Sequence, residues 1–196
     1  AGAGAKIINI AECSGSVHGT INNPLSSKPV CNEEDWARLT DCLNKAGKVC
    51  NSYGLSIAYH HHMGTYIQNE NEVYRLLSDT DPKLVNLCAD TGHMYFAGID
   101  PVRFFENNIN RIRHIHFKDL RSNIFKNLNF KETSFLKAVL SGVFTVPGDG
   151  CIDFEAISSV IIKSEYSGWI IVEAEQDPAI ANPLEYAMQS KEYLNK

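Results

Sequence analysis

The sequence predicts an α/β fold of parallel βαβ units, the architecture of a (β/α)8 TIM barrel or a part of one. Two observations carry this. Five apolar, β-branched runs alternate with stretches of helical period, and no short-period repeat interrupts them, the pattern of parallel strands joined by right-handed crossovers. Four of the runs also end in ligand-type residues: LSIAYHHHMGTY (55–66), LVNLCADTGH (84–93), RIRHIHFKD (111–119) and GWIIVEAEQD (168–177). In parallel barrels the groups that do chemistry sit at the C-terminal strand ends, so these runs predict one convergent site.

Taken in order, Ala5–Glu12 reads as a buried strand that ends on a carboxylate before a loop rich in Ser, Gly, Asn and Pro. Asn32 is placed to cap a helix with Asp35 at its third position and Trp36, Leu39, Leu43, Ala46, Val49 and Cys50 in helical period up to Gly54. The histidine strand follows. Asn69 caps a helix bearing Val73, Leu76 and Leu77, and Asp81-Pro82 turns the chain into the strand Leu84–Asp90. Asp100-Pro101 opens a helix with Phe104, Phe105 and Ile109 inward, leading to the strand Ile112–Lys118. A longer polar connection carries a short helix near Glu132–Leu140. Asp153 caps a helix with Phe154, Ile157, Val160 and Ile161 inward, and Gly168 stops it. Trp169–Ala174 is the last strand. Asn182-Pro183 starts a terminal helix with Leu184, Ala187 and Leu194 as its apolar positions.

The 196 residues form a single expected domain, 1–196, and a complete eight-unit barrel usually takes about 250. The chain is therefore about three βα units short, so that either the sheet is open or the amino-terminal part is absent. A net charge of −5 argues against nucleic acid and anionic membranes as partners, leaving a small molecule or another subunit. Without an apolar run of membrane length or a signal-peptide start, the expected location is cytoplasmic. The six cysteines form no CxxC pair and read as reduced structural thiols, outside any metal site.

Side chains alternate across a strand, so Ser56, Ala58, His60 and His62 share one face; the small residues suit a crowded barrel interior, which turns His60 and His62 inward. By the same parity Asn86, Cys88 and Asp90 face one way, with His93 on the turn beyond. His114, His116 and Lys118 share a face with Asp119 just past it, and Glu173 and Glu175 share a face of the last strand. Each has a plainer reading: a hydrogen-bonded His loop, Asx-turn chemistry at Asp-Thr-Gly, a solvated strand end. Against these stands the coincidence that His60, Asp90, His116 and Glu173 leave four neighbouring strands at equivalent points. This nitrogen and oxygen set suits Mn²⁺, Co²⁺, Fe²⁺ or Zn²⁺ better than Cu⁺.

The series GAKIINIAE (4–12), YHHHMGTY (59–66), DTGHMYFAG (90–98), HIHFKD (114–119), GVFTVPGDGCIDF (142–154) and VEAEQDPAIANPLEYA (172–187) resembles the inosose dehydratases of bacterial inositol catabolism, members of the xylose-isomerase-like barrel superfamily. The likeness spans nearly the whole chain, and the GVFTVPGDG and EAEQDP stretches are its most specific parts. It implies that Ala5–Glu12 is the fourth barrel strand, with this chain covering the last five βα units and the first three absent. Set against the superfamily's sugar epimerases, Glu173 falls on the last-strand glutamate, His116 on the histidine ligand and Asp90 on the aspartate of D-T-x-H. His60 stands where those enzymes usually carry a glutamate that serves as both ligand and base. That departure disfavours a symmetric two-base epimerisation and agrees with a lyase.

The resemblance implies a divalent-metal hydro-lyase, with Mn²⁺ or Co²⁺ held by His60, Asp90, His116 and Glu173 and a small polyol ketone as substrate. Glu173 is then the expected base. His62, His93 and Lys118 are the candidates for the acid, and Glu12, Asp119 and Glu175 are expected to bind substrate hydroxyls or orient ligands. The rivals are a metal-dependent ketose epimerase or isomerase, and an inactive fragment completed by another subunit, a homo-oligomer among the possibilities. A repair-type phosphodiesterase is disfavoured by the acidic charge.

Overall fold

A computed structural model describes residues 2–195 of the chain. The elements run β1 (Ile7–Ile10), α1 (Glu33–Ser52), β2 (Ser56–His60), α2 (Glu70–Asp79), β3 (Val85–Asp90), α3 (Thr91–Phe96), α4 (Pro101–Asn108) and β4 (Ile112–Phe117), then β5 (Asp119–Leu120), α5 (Ser122–Phe125), α6 (Phe135–Leu140), β6 (Phe144–Thr145), α7 (Phe154–Lys163), β7 (Ile170–Val172) and α8 (Pro183–Leu194). β1, β2, β3, β4 and β7 lie side by side in that order as one sheet in which all four pairings are parallel.

The helix starts follow from local chemistry. Asn32 Oδ1 accepts from the Asp35 amide, Asp153 caps α7 through Ala156, and Asn69 forms a reciprocal capping box with Glu72. Asp100-Pro101 and Asn182-Pro183 place proline in the first turn, where its missing N–H leaves nothing unsatisfied. Gly47 lets α1 press onto the start of β3, because a Cβ there would lie 2.7 Å from the Leu84 carbonyl oxygen.

Tyr59 and Leu87 on the sheet's outer face pack with Trp36, Leu76, Phe104 and Phe154 of the helices, and this layer is the core. β3 is buried at every position. The two edges are not: β7 is exposed along its whole length and Trp169 beside it is 73% accessible. Among the described residues no helix is long and apolar enough to cross a membrane.

Several expectations change in detail. The inner face of α1 is Trp36, Thr40, Leu43 and Gly47, whereas Val49 is exposed, because the helix lies rolled toward its glycine contact. The last strand is shorter than Trp169–Ala174: regular pairing with β4 covers Ile170–Val172, with single backbone bonds from Trp169 and Glu173 at its two ends. In α8 Leu184, Ala187 and Leu194 point outward and Ser190 is the buried position, with Tyr186 and Tyr193 half-buried beside it. Helix α3, where a turn is expected, forms directly at the end of β3. The β5–β6 pair is a separate antiparallel ladder that joins Asp119 to Thr145 and Leu120 to Phe144.

Candidate metal centre

The register of the sheet sets the site. Asp90 stands opposite His116, and His60 opposite Cys88, and a register shift between Leu87 and Cys88 is what brings His114 and His116 of β4 into phase with Cys88 and Asp90 of β3. β7 adds its own exit: the Glu173 amide donates to the Phe117 carbonyl, which extends the pairing with β4 by one residue and brings the Glu173 carboxylate beside His116.

The four predicted ligands meet. His60 Nε2 lies 3.4 Å from Asp90 Oδ2, and His116 Nδ1 lies 3.5 Å from both Asp90 Oδ2 and Glu173 Oε2. Ligand atoms bound to one divalent ion at about 2.0–2.2 Å stand roughly 3.0–3.5 Å from their neighbours, which is the spacing of these three contacts, and Asp90, His116 and Glu173 offer ligand atoms that are all mutually close. His116 Nδ1 is, in addition, buried with no hydrogen-bond partner. Burial acts to lower the His116 imidazole, yet Asp90, Cys88 and Glu173 push it up to about 12. Burial acts to raise the Asp90 carboxyl, yet Lys118 and His93, then His116 and His60, hold it well below its ordinary range. Both shifts express one property: this pocket binds positive charge.

Asp90 does two jobs. Oδ1 accepts from the His93 amide as the N-cap of α3, while Oδ2 faces the cluster. The capping role of this residue therefore leaves Oδ2 free to face the cluster.

Lys118 lies behind the ligands, 2% exposed. Its Nζ is 2.7 Å from Glu173 Oε2, 3.0 Å from Glu175 Oε2, 3.3 Å from Asp90 Oδ2 and 3.2 Å from His93 Nε2. Burial alone would lower the ammonium's pKa, but Asp90, Glu175 and Glu173 raise it well above the ordinary range. His62 and His93 sit on the other side of Glu175, with Nε2 atoms 4.0 and 3.7 Å from its carboxylate and ring centroids 4.0 Å apart. Burial, with Lys118 among the contributors, keeps both imidazoles neutral; His62 falls to about 3 and His93 well below its usual value.

Two of the expected substrate-binding residues stand elsewhere. Asp119 is buried and accepts five backbone N–H groups, from Leu120, Gly148, Gly150, Cys151 and Ile152. Its two oxygens are spent on tying the 148–152 loop to β5, which makes it an anchor and corrects the binding role. Gly150 has no alternative there, since a Cβ would run into the Asp119 carboxylate. Glu12 turns to the helix side of β1, bonding Ser14 and lining a cleft with Asp35, Arg38 and Tyr66, because two-residue alternation carries it to the face opposite Asn9 and His60. Glu175 does face the cluster.

The site also contains residues the sequence did not single out. His18 comes in on the loop after β1, held by the Val17 amide donating to the Gly64 carbonyl, and its ring stacks edge-on against His62 at 5.0 Å. Its Nδ1 is buried without a partner. Cys88 offers a sulfur within 4.8 Å of ligand atoms of His60 and His116, but burial pushes its thiol up, so it remains protonated.

The profile of the family described as xylose isomerase-like TIM barrel matches residues 2–196. The chain is 48% identical over 194 residues to a protein of Geobacillus thermodenitrificans named inosose dehydratase, covering 98% of this chain and 65% of that one. A Clostridium beijerinckii protein of the same name is 46% identical with the same coverage. This chain thus spans about two thirds of the length of these curated relatives. Among solved structures, the IOLI protein with a bound zinc atom superposes with a TM-score of 0.67 at 17% identity, over 97% of this chain and 62% of that one.

Proposed function

We propose that this chain, which belongs to the xylose isomerase-like TIM barrel family, carries the catalytic strand ends of an inosose dehydratase that removes water from 2-keto-myo-inositol to give 3D-trihydroxycyclohexane-1,2-dione in inositol catabolism. The convergence of His60, Asp90, His116 and Glu173 is the observation that supports this most, together with the names of relatives at 45–48% identity. These four residues would hold a divalent ion, a nitrogen and oxygen set that suits Mn²⁺, Co²⁺, Fe²⁺ or Zn²⁺, with Mn²⁺ or Co²⁺ favoured by the family resemblance. When bound, such an ion supplies Lewis acidity at the ketone and the neighbouring hydroxyl.

The residues do the proton work. Glu173 takes the proton α to the ketone, giving an enediolate, and loss of the β-hydroxyl follows with a proton supplied from the group formed by His62, His93 and Lys118. Glu175, half-exposed beside them, accepts hydrogen bonds from the polyol. His60 in place of a second carboxylate leaves one base at the centre, which suits elimination and does not suit inversion at carbon.

The test is product and metal together. The protein, stripped and reloaded with Mn²⁺, Co²⁺ or Zn²⁺, should convert 2-keto-myo-inositol to an ultraviolet-absorbing dione. Glu173→Gln should reduce the rate by about a hundredfold or more. An epimeric ketone as the product, with no rise in absorbance, would replace this reading by the epimerase one.

A further inference from the structure

Four consecutive residues grip one lysine. Asp90 Oδ2 is 3.3 Å from Lys118 Nζ, and His93 Nε2 is 3.2 Å from it. Between them the Thr91 hydroxyl donates to the Lys118 carbonyl at 2.8 Å and accepts from the Lys118 amide at 3.0 Å. Gly92 clears the stem, since a Cβ there would lie 2.6 Å from Lys118 Cγ. The Asp-Thr-Gly-His turn is thus shaped around Lys118, Thr91 holding its backbone while Asp90, Gly92 and His93 meet its side chain.

Hydrogen-bond direction separates the three acid candidates. His62 Nδ1 lies 2.8 Å from the Met63 carbonyl, which can only accept, so Nδ1 carries the hydrogen and Nε2 of the neutral ring has none. His93 Nε2 faces the Lys118 ammonium, which can only donate, so that nitrogen is bare as well. Of the three, Lys118 is the one that turns hydrogens toward Glu173 and Glu175. It also touches the base, with Nζ 2.7 Å from Glu173 Oε2.

The geometry points to Lys118 as the catalytic residue that protonates the departing hydroxyl, with Thr91 and Gly92 as positioning residues that hold its ammonium between Glu173 and Glu175. This rests on the dehydratase reading and deepens it. The α C–H bond breaks and its proton passes to Glu173. The β C–O bond then breaks, and its oxygen takes a proton from Lys118 and leaves as water. Glu173 returns its proton across 2.7 Å to the neutral Lys118 amine. The proton removed from carbon thereby balances the proton spent on the leaving group, and the pair resets without solvent.

The experiment separates the two bond-breaking steps in metal-loaded protein in D2O. Deuterium incorporation at the α-carbon of 2-keto-myo-inositol reports on Glu173, and dione absorbance reports on water loss. Lys118→Met should lose about a hundredfold or more in dehydration while exchange stays within about tenfold. Because removing a buried cation can unfold a protein, Thr91→Val and Thr91→Ser form a second arm. Valine should lower kcat for dehydration with exchange and KM preserved, and serine, which keeps the hydroxyl, should restore it. If exchange falls in parallel with dehydration in both Lys118→Met and Thr91→Val, the assignment of Lys118 is wrong. If the unaltered protein neither exchanges nor dehydrates, the dehydratase reading itself fails.

Discussion

The two sides of the ligand cluster live in different surroundings. Asp90 ends a strand buried at every position and its side chain is wholly inaccessible, whereas Glu173 follows the edge strand β7 and is 40% accessible. The same kind of carboxylate is therefore part of the fold on one side and an adjustable contact on the other. Burial decides which, because a charge in a low-dielectric interior must be paired to exist there at all, while a half-solvated one needs no partner.

Stability measurements can break or sharpen that contrast. The largest effect belongs to the centre: Asp90→Ala removes the cap of α3 and leaves the Lys118 cation with its deepest partner missing, and should cost about 3–5 kcal/mol in urea unfolding. Next comes pH. His61 is fully buried, and burial, then the neighbouring His60, lowers its pKa from 6.5 to about 4. Between those values the unfolded chain binds a proton that the folded one refuses, so stability falls as pH drops from 6.5 to 4. The loss amounts to about 3 kcal/mol. In metal-free protein His61→Phe should flatten that part of the acid limb, visible as melting curves that no longer separate from wild type above pH 6.5 and cross it below.

Away from the centre the effects shrink. Asp119→Asn should cost about 2 kcal/mol by weakening charge-assisted bonds to the 148–152 loop, while KM for the proposed polyol ketone substrate stays unchanged. A raised KM would return Asp119 to the substrate. Glu173→Gln, at the exposed edge, should alter folding stability by less than about 1 kcal/mol despite its effect on the reaction. If Asp90→Ala and Glu173→Gln proved equally destabilising, the contrast between centre and edge would have no energetic content.

Much of this was legible in the residues. Strand parity alone turned His60, Asp90 and His116 to one side, and the caps Asn32, Asn69, Asp100, Asp153 and Asn182 marked five helix starts because an Asx side chain satisfies donors the helix leaves free. The role of Asp119 was not legible, since its partners lie about thirty residues downstream in a loop with no periodic signal. Glu12 needed the register of its strand, which the sequence does not print. His18 is a single histidine in a polar loop, and only the backbone bond from Val17 to Gly64 brings it to His62. Helix α3 is six residues long, too short for a 3.6-residue period to show against its neighbours.

Because Asp90 is at once the last residue of β3 and the N-cap of α3, no linker separates strand from helix there. A one-residue insertion or deletion at that junction would rotate the helix against the sheet and carry Lys118's whole seat with it. Recombination and chimera building should therefore treat residues 85–96 as an indivisible cassette, and place crossovers at the exposed residues 126–127, whose backbone bonds are local.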